Sequence, residues 1–253
     1  MTTVESLSSD LIPSARQLWK DAFGDDDAFL DTFFGTAFAT ERSLCIREGA
    51  QVLAALYWFD VSCDGRPFAY VYAVATDPAH RGKGLCRRLM ARTRAHLAEQ
   101  GYAGILLVPQ EEGLIRMYAG MEYLPCTSVT EFRCESAGPA APLRSLTRAE
   151  YARRRRELLP PGGVIQEGEN LAFLETMAEF YEGPGFLAAV SVTENALHCP
   201  ELLGNCEAAP GLLAALNCHQ GFFRCPGSGK SFSMFCPLTA DCPTPAYFGL
   251  AFD

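Results

Sequence analysis

The chain lacks the features that would indicate a membrane, secreted or nucleic-acid-binding protein. No part of its 253 residues approaches the roughly 18 uninterrupted apolar residues of a membrane helix. Residues 1–10 are polar and acidic, without the basic and apolar regions of a signal peptide. Lys and Arg number 21 against 30 Asp and Glu, whereas a nucleic-acid partner requires a basic face. We therefore expect a cytoplasmic protein with neither a membrane nor a nucleic acid as partner.

Close cysteine pairs are also missing, although the chain has 11 cysteines. The later ones lie near His198 and His219, but none forms a C-x-x-C pair. Zinc sites usually take their ligands in close pairs on a turn. We predict no metal site, and thiols that act as small buried hydrophobes in a reducing compartment.

The first half of the chain alternates between helical and strand-like patterns. The composition, 49% hydrophobic and 20% charged, suits one large or two small cores. Asp64-Gly65 is a strong hairpin signal. Periodicity predicts two short helices within 11–38, strands at 43–46, 52–59 and 68–75, a helix at 85–100, a strand at 104–108, a helix at 111–119 and a strand at 129–134.

The second half follows a small, Gly- and Pro-containing linker at 136–142. Its predicted helices are 151–159, 171–182 and 210–218, and its predicted strands 186–192, 196–203, 222–225, 231–236 and 246–252. This order loosely repeats the first half. A degenerate second copy of the first domain and an unrelated small α+β extension both fit the pattern.

The most informative segment joins a strand to a helix at residues 73–90. Gly82 and Gly84 leave the loop backbone uncovered, so that amide N–H groups can face an anion. A helix begins directly after the loop and adds its free N–H groups and partial positive charge. Arg81 and Lys83 add full charges. The segment therefore suits a pyrophosphate.

Two other phosphate motifs are excluded or disfavoured. A dinucleotide fingerprint needs a third glycine where Leu85 or Arg87 stands. The stretch Gly227-Ser228-Gly229-Lys230-Ser231 ends like a P-loop, but its opening glycine would fall on Arg224. We interpret that stretch as a hairpin turn.

The order Arg81, Gly84, Cys86 resembles the acetyl-CoA loop of the GNAT N-acetyltransferase superfamily, whose pattern is Arg or Gln, two residues, Gly, one residue, then Gly or Ala. Cys86 departs from the last position. The resemblance implies an α/β (α+β) fold with a mixed, mostly antiparallel sheet flanked by helices, in a catalytic domain at 1–135. It also implies a strand-rich domain at 143–253, either a degenerate GNAT-like repeat or another α+β unit. Tandem arrangements of this kind occur in the superfamily.

The resemblance further implies the cofactor contacts. Acetyl-CoA is the expected cosubstrate, without a metal, and an amine the expected acceptor. The pantetheine arm would pair with the backbone of Val74, Ala75 and Thr76. The pyrophosphate would lie on the amides of Gly82, Lys83, Gly84, Leu85 and Cys86, with Arg81 and Lys83 offsetting its charge.

Direct transfer of acetyl to an amine requires a deprotonated amine and a proton donor for the leaving thiolate. Tyr118 is the candidate donor, because the family's late helix carries a Tyr four and five positions before a Gly-Phe pair. Glu122 and Tyr123 hold those positions here. The base is open between Glu131, Glu201, Asp60, a carboxylate of Asp253 and a water chain, and we expect His80 to pack the loop.

These observations predict an acetyl-CoA-dependent N-acetyltransferase that acts on a small-molecule or peptide amine. A GNAT enzyme that uses a different acyl-CoA is one alternative. A non-catalytic acyl-CoA sensor or scaffold is another, because the base is unassigned. Whether the chain forms a homo-oligomer stays open.

Overall fold

The computed structural model describes residues 3–194 and 196–252, which divide into two compact units. The first unit contains the residues up to Leu124 together with Met234–Cys242. The second contains Pro125–Ser233 together with the residues from Pro243 onward. The expected boundary between 135 and 143 therefore does not coincide with the division between the units. Within the described residues, no helix is long and apolar enough to span a membrane.

The first unit is built from five complete strands and four α-helices among its described residues. The strands are β1 Val4–Glu5, β2 Ser43–Glu48, β3 Gln51–Cys63, β4 Arg66–Thr76 and β5 Gly104–Leu107. The helices are α1 Ile12–Phe23, α2 Asp27–Thr36, α3 Leu85–Glu99 and α4 Glu112–Ala119.

Local signals in the sequence set the ends of several of these elements. Helix α1 ends at Gly24, which adopts the left-handed conformation with φ 80°. The Asp26 side chain then caps α2 by accepting from the Phe29 amide at 2.8 Å. Asp64 and Gly65 both have positive φ, as the turn of a two-residue hairpin requires. The structure confirms the hairpin that we predicted between β3 and β4.

The sheet of the first unit runs β1-β2-β3-β4-β5, with antiparallel neighbours up to β4. Strands β4 and β5 are parallel, and α3 forms the crossover between them. The segment Met234–Pro237 then pairs antiparallel with β5. The result is the mixed, mostly antiparallel sheet with flanking helices that the sequence predicts.

Side chains of β3 and β4 alternate between two faces of this sheet. Leu56 and Trp58 belong to the hydrophobic cluster that includes Leu89 of α3 and Tyr118 of α4. The opposite face carries aromatic rings that contact rings of α1 and α2. We call this set the aromatic layer, and its members are Trp19, Phe33, Phe34, Phe38, Tyr57, Phe59, Tyr70 and Tyr72.

The second unit contains most of the remaining elements. The remaining strands are β6 Leu124–Glu135, β7 Arg144–Leu146, β8 Ile165–Gln166, β9 Glu179–Gly183, β10 Phe186–Thr193, β11 Ala196–Gly204, β12 Gln220–Pro226 and β13 Lys230–Pro237. The helices are α5 Arg148–Leu158, α6 Glu169–Leu174 and α7 Ala209–Ala215. Thr147 and Glu150 form a reciprocal capping box at the start of α5, which the sequence analysis missed.

The sheet of the second unit repeats the strand order of the first. It runs β7-β9-β10-β11-β12, and β6 then pairs antiparallel with β12. Strands β11 and β12 are parallel and are joined through α7, as β4 and β5 are joined through α3. The second unit is thus a copy of the same topology, which confirms the tandem arrangement suggested by the pattern.

Two elements of the second unit differ from our predictions. The helix expected at 171–182 ends near residue 175, and Glu179–Gly183 is a strand because it pairs with β10 across a tight turn. The strand expected at 246–252 is an irregular buried segment. It is held by bonds such as Val164 N to Tyr247 O, at 2.8 Å, and by a single bridge between Gly163 and Tyr247.

The hairpin expected at 227–231 is also wrong. Strands β12 and β13 both neighbour β6 instead of each other, so the connection has to pass β6. Gly227 lies so close to β6 that a Cβ there would clash with Thr130 Oγ1. A strand follows the glycines, whereas a P-loop opens a helix.

Candidate active site

Strand β4 carries a bulge where it separates from β5. Ala55 pairs with Ala75 and Tyr57 with Tyr72, so Leu56 alone faces both Ala73 and Val74. Ala73 has a φ of 49°, which is uncommon and strained for a residue with a Cβ. The bulge could not be predicted from the sequence, because alanine gives no signal for a positive φ.

The bulge leaves one edge of β4 open. In the described residues, β4 and β5 pair at Phe68, Ala69 and Tyr70 and not beyond. Val74 belongs to the bulge and Ala75 and Thr76 follow it, so all three lie beyond the last described pair between β4 and β5. These are the residues predicted to bind an extended amide-bearing arm, which would pair with them as an added strand does.

The loop after β4 is shaped by Asp77. Its carboxylate accepts from the Ala79 amide at 2.8 Å and contacts His80 Nδ1 at 3.0 Å. The hydrogen bond with His80 is the main effect that lowers the pKa of Asp77. His80 therefore packs the loop, as expected, and Arg81 donates from Nε to the Thr76 carbonyl at 3.2 Å.

The N-terminus of α3 is open. Gly82 and Gly84 have φ values of 74° and 77°, and a Cβ on either would meet nothing within 4 Å. Gly84 is the N-cap residue and supplies no side-chain hydrogen bond. The first intrahelical bond runs from Arg88 N to Gly84 O at 3.0 Å, so the amides before it are the donors that a helix start leaves to a ligand.

Charge around this helix start suits an anion. Arg81 and Lys83 are exposed beside it. Cys86 is partly buried, and burial raises the pKa of its thiol, so it stays neutral next to a negative ligand. Cys86, which stands where the family pattern has Gly or Ala, thus adds no negative charge that would repel an anion.

Tyr118 lies at the end of α4, in the hydrophobic cluster to which Leu85 and Cys86 also pack. It is 6% exposed, and burial raises its pKa well above the usual value for a phenol. The ring makes an edge contact with Tyr123 at a centroid distance of 5.8 Å. Tyr118 is therefore a protonated group close to the first turn of α3.

A turn that joins α4 to the following strand is tied to α3 by two arginines. Arg87 Nη1 donates to the Gly120 carbonyl at 2.9 Å, and Arg94 Nη1 donates to the Glu122 carboxylate at 2.7 Å. Glu122 has a φ of 69°, so it keeps the left-handed conformation favoured by the glycine that the family has here. The sequence shows the missing glycine but gives no indication of these arginine contacts.

Glu201, one of the suggested bases, is fully buried and its carboxylate is saturated. Arg155 donates to it twice, at 2.6 and 2.9 Å. Tyr151 and Tyr247 each add a hydroxyl, at 3.0 and 3.1 Å. A carboxylate held in this way has no lone pair directed at a substrate, so Glu201 serves the structure of the second unit.

The other suggested bases are also engaged or lie outside the described residues. Burial acts to raise the pKa of Glu131, but hydrogen bonds from Lys230 and Arg224 outweigh it and leave that pKa lowered. Asp60 accepts from the Tyr102 hydroxyl and lies 3.7 Å from Arg42. Asp253 falls outside the described residues.

The cysteines form no disulfides, and all of them lie in the described part of the chain. Six are buried and five are partly buried. Over residues 3–194 and 196–252, no three His, Cys, Asp or Glu side chains are grouped so that they could hold a metal ion.

Comparisons with known proteins extend these observations. Residues 3–124 match the family model described as an acetyltransferase (GNAT) domain. A GCN5-related N-acetyltransferase from Kribbella flavida superposes with a TM-score of 0.73 at 16% identity, covering 96% of this chain and 73% of that one. Eis1 from Mycobacterium abscessus gives 0.68 at 12% identity, covering 95% and 74%.

A tandem GNAT protein from the clavulanic acid biosynthesis pathway gives a TM-score of 0.57 at 14% identity, covering 95% of this chain and all of that one. A comparison of the sequence with curated proteins gave no match. The structural likenesses establish the fold. The match to residues 3–124 shows that the first unit is similar in sequence to the GNAT acetyltransferase domain.

Proposed function

We propose that the protein is an acetyl-CoA-dependent N-acetyltransferase that transfers the acetyl group directly to an amine of a small molecule or a peptide. The observation that carries the proposal is the open N-terminus of α3. It is preceded by two left-handed glycines with free space above them and flanked by Arg81 and Lys83. The match of residues 3–124 to the GNAT acetyltransferase domain supports it.

The residues present fit the cofactor in two places. The amides from Gly82 to Cys86 would hold the pyrophosphate, and Arg81 and Lys83 would offset its charge. The open edge of β4 at Val74–Thr76 would pair with the amide groups of the pantetheine arm. When bound, acetyl-CoA supplies a thioester whose carbonyl carbon accepts a nucleophile.

The reaction forms a C–N bond and breaks a C–S bond. The amine must first lose a proton, because an ammonium ion has no lone pair. Tyr118 would donate its hydroxyl proton to the sulfur that leaves, and this hydroxyl is protonated at neutral pH because burial raises its pKa. Glu131, Glu201 and Asp60 are engaged elsewhere, so we assign none of them to the amine proton.

The first test is calorimetric titration of the purified chain with acetyl-CoA, followed by the variant Gly84→Val. We expect affinity to fall at least about 100-fold, because the side chain would occupy the space of the pyrophosphate and remove charge-assisted hydrogen bonds.

Gly101→Val is a matched control. Gly101 follows the other end of α3, with a φ of 84° and no atom within 4 Å of the position that a Cβ would take. Both variants carry the same backbone strain, but only Gly84→Val lies at the proposed site. Equal affinities in the two variants would remove the cofactor site. Tighter binding of another acyl-CoA would change the assigned acyl donor but not the assigned binding site. Binding of acetyl-CoA without turnover of any amine would favour a non-catalytic sensor.

A further inference from the structure

The hydroxyl of Tyr57 on β3 is buried without a hydrogen-bond partner in the described residues. Tyr57 is 3% exposed, and burial raises its pKa well above the usual value for a phenol. The group is thus a neutral donor and acceptor in an apolar environment. Leaving such a group unpaired is unfavourable, so a hydrogen bond from a ligand would be favourable here.

Tyr57 lies within the aromatic layer. Its ring centroid is 5.1 Å from that of Trp19 and 5.2 Å from that of Phe33. Phe34 and Phe38 follow at 6.0 and 6.2 Å, and both are partly exposed. The Tyr57 ring is therefore surrounded by other aromatic rings, two of which are partly exposed.

The same tyrosine is next to the bulge of β4. It pairs with Tyr72, and Ala73 follows directly. Helices α3 and α4 pack on the opposite face of the sheet, with Tyr118 among them. The aromatic layer is therefore on the face of the bulge that α3 and α4 do not cover.

The helices above this layer are acidic. Between residues 12 and 36 the chain has five Asp and two cations, Arg16 and Lys20. Those two cations pair with Asp27 and Asp31. Phe23, at the end of α1, is 48% exposed. A ligand with positive charge and an aromatic surface complements this combination.

Building on the proposed function, we infer that the acceptor is a primary amine carried on an aromatic or flat apolar body, whose nitrogen donates to the Tyr57 hydroxyl. The body packs on Phe34, Phe38 and Tyr72. Removal from water disfavours the charged form of the amine, so this environment also helps to produce the neutral nucleophile. Tyr57 positions the amine and takes no proton from it, because its own hydroxyl remains protonated.

The test is an acceptor panel with the full chain and acetyl-CoA, with products identified by mass spectrometry. Phenethylamine and tryptamine represent the inferred class, and spermidine and glucosamine represent polar amines. We expect kcat/KM to be at least about tenfold higher for the aromatic amines, because only these bury an aromatic side group. Equal or better use of spermidine or glucosamine would overturn the inference.

A binding readout separates this inference from the proposed function. Phenethylamine alone should raise the thermal midpoint, Tm, of the chain, whether or not acetyl-CoA binds. If calorimetry shows no acetyl-CoA binding, the proposed function fails. If acetyl-CoA binds but phenethylamine neither raises Tm nor is acetylated, the aromatic-amine inference fails alone.

The variant Tyr57→Phe removes the hydroxyl only. We expect KM for phenethylamine to rise about threefold to tenfold through the lost hydrogen bond, with acetyl-CoA affinity unchanged. Tm should rise by about 2–4 °C, because an unpaired buried group is removed.

Tyr123→Phe is the matched control, because the Tyr123 hydroxyl is also buried without a partner in the described residues but belongs to the α3 and α4 face. It should raise Tm without changing KM for phenethylamine. Phe34→Ala, at the partly exposed rim, is a second variant and should raise that KM as well. An unchanged KM in both Tyr57→Phe and Phe34→Ala would contradict the assignment.

Discussion

Among single residues, Tyr118 has the most direct predicted effect on chemistry. Replacing it with Phe removes the proton donor and keeps the ring that packs against Tyr123. We expect kcat to fall about 100-fold, within the range of general acid catalysis, while the acetyl-CoA dissociation constant measured by calorimetry stays the same. A loss of binding with unchanged kcat would assign Tyr118 to packing of the cofactor site.

The raised pKa of Tyr118 also fixes a pH dependence. An acid catalyst is lost when pH rises through its pKa, and burial places that pKa above the ordinary phenol value, which is about 10. The rate should therefore rise with pH as the amine is deprotonated and then stay level up to about pH 10. A descending limb between neutrality and that point in the pH profile of kcat would argue for a different acid.

At the scale of elements, the turn after α4 holds Tyr118 and Tyr123 in place through a residue in the left-handed conformation. Glu122→Gly and Glu122→Ala both remove the ion pair with Arg94, which is 2.7 Å long and involves a mostly exposed Glu. Only Gly adopts the φ of 69° without strain. We expect Glu122→Gly to be more stable than Glu122→Ala by about 1 kcal/mol in denaturant unfolding.

Glu112, in the first turn of α4, provides the control for this comparison. Its backbone is helical, so Ala should there be more stable than Gly. The same order of stabilities at both positions would mean that Glu122 carries no backbone strain.

The elements that could be predicted from the sequence are those with a local cause. The Asp64-Gly65 turn, the glycines around α3 and the amphipathic pattern of α1 each depend on residues close in the chain. Strand β9 was mistaken for a helix because Phe180 and Tyr181 continue an apolar run, and only pairing with β10 makes it a strand. The bulge at Ala73 comes from pairing with β3, so the sequence of β4 alone gave no sign of it.

At the scale of the whole molecule, the two units share a topology but differ at the equivalent of the proposed cofactor site. Strand β11 has a bulge at the equivalent position, where Cys199 and Pro200 both face Val190. It corresponds to the bulge of β4, where Ala73 and Val74 both face Leu56. Glu201 follows the bulge of β11 as Ala75 follows that of β4. Pro200 has no N–H to offer an incoming arm. Glu201, the residue after Pro200, is buried and paired with Arg155. Helix α7, the equivalent of α3, has only seven residues and a Pro in its first turn.

These differences predict one acetyl-CoA per chain. Calorimetry should give a stoichiometry of one, and the double variant Arg81→Ala, Gly84→Val should show no residual binding at the concentrations that saturate the parent chain. A second, weaker binding event that survives in the double variant would mean that the second unit retains a functional cleft.

Membership of the strands in the units could not be predicted from the sequence. The patterns at 129–134 and 231–236 indicate strands correctly, but nothing in them states which sheet each strand joins. Pairing of β6 with β12 and of Met234–Pro237 with β5 is decided by contacts between residues that are 85 to 133 positions apart in the chain.

Because Met234–Pro237 covers the edge of β5, the first unit cannot be finished early in biosynthesis. A ribosome that adds about 5–20 residues per second has to synthesise residues 1–233 before this strand becomes available. Until then the unpaired amide and carbonyl groups of β5 are a template for pairing with another nascent chain. Chaperone engagement during translation, and the failure of an N-terminal fragment to express in soluble form, are therefore expected consequences of where one short strand is encoded.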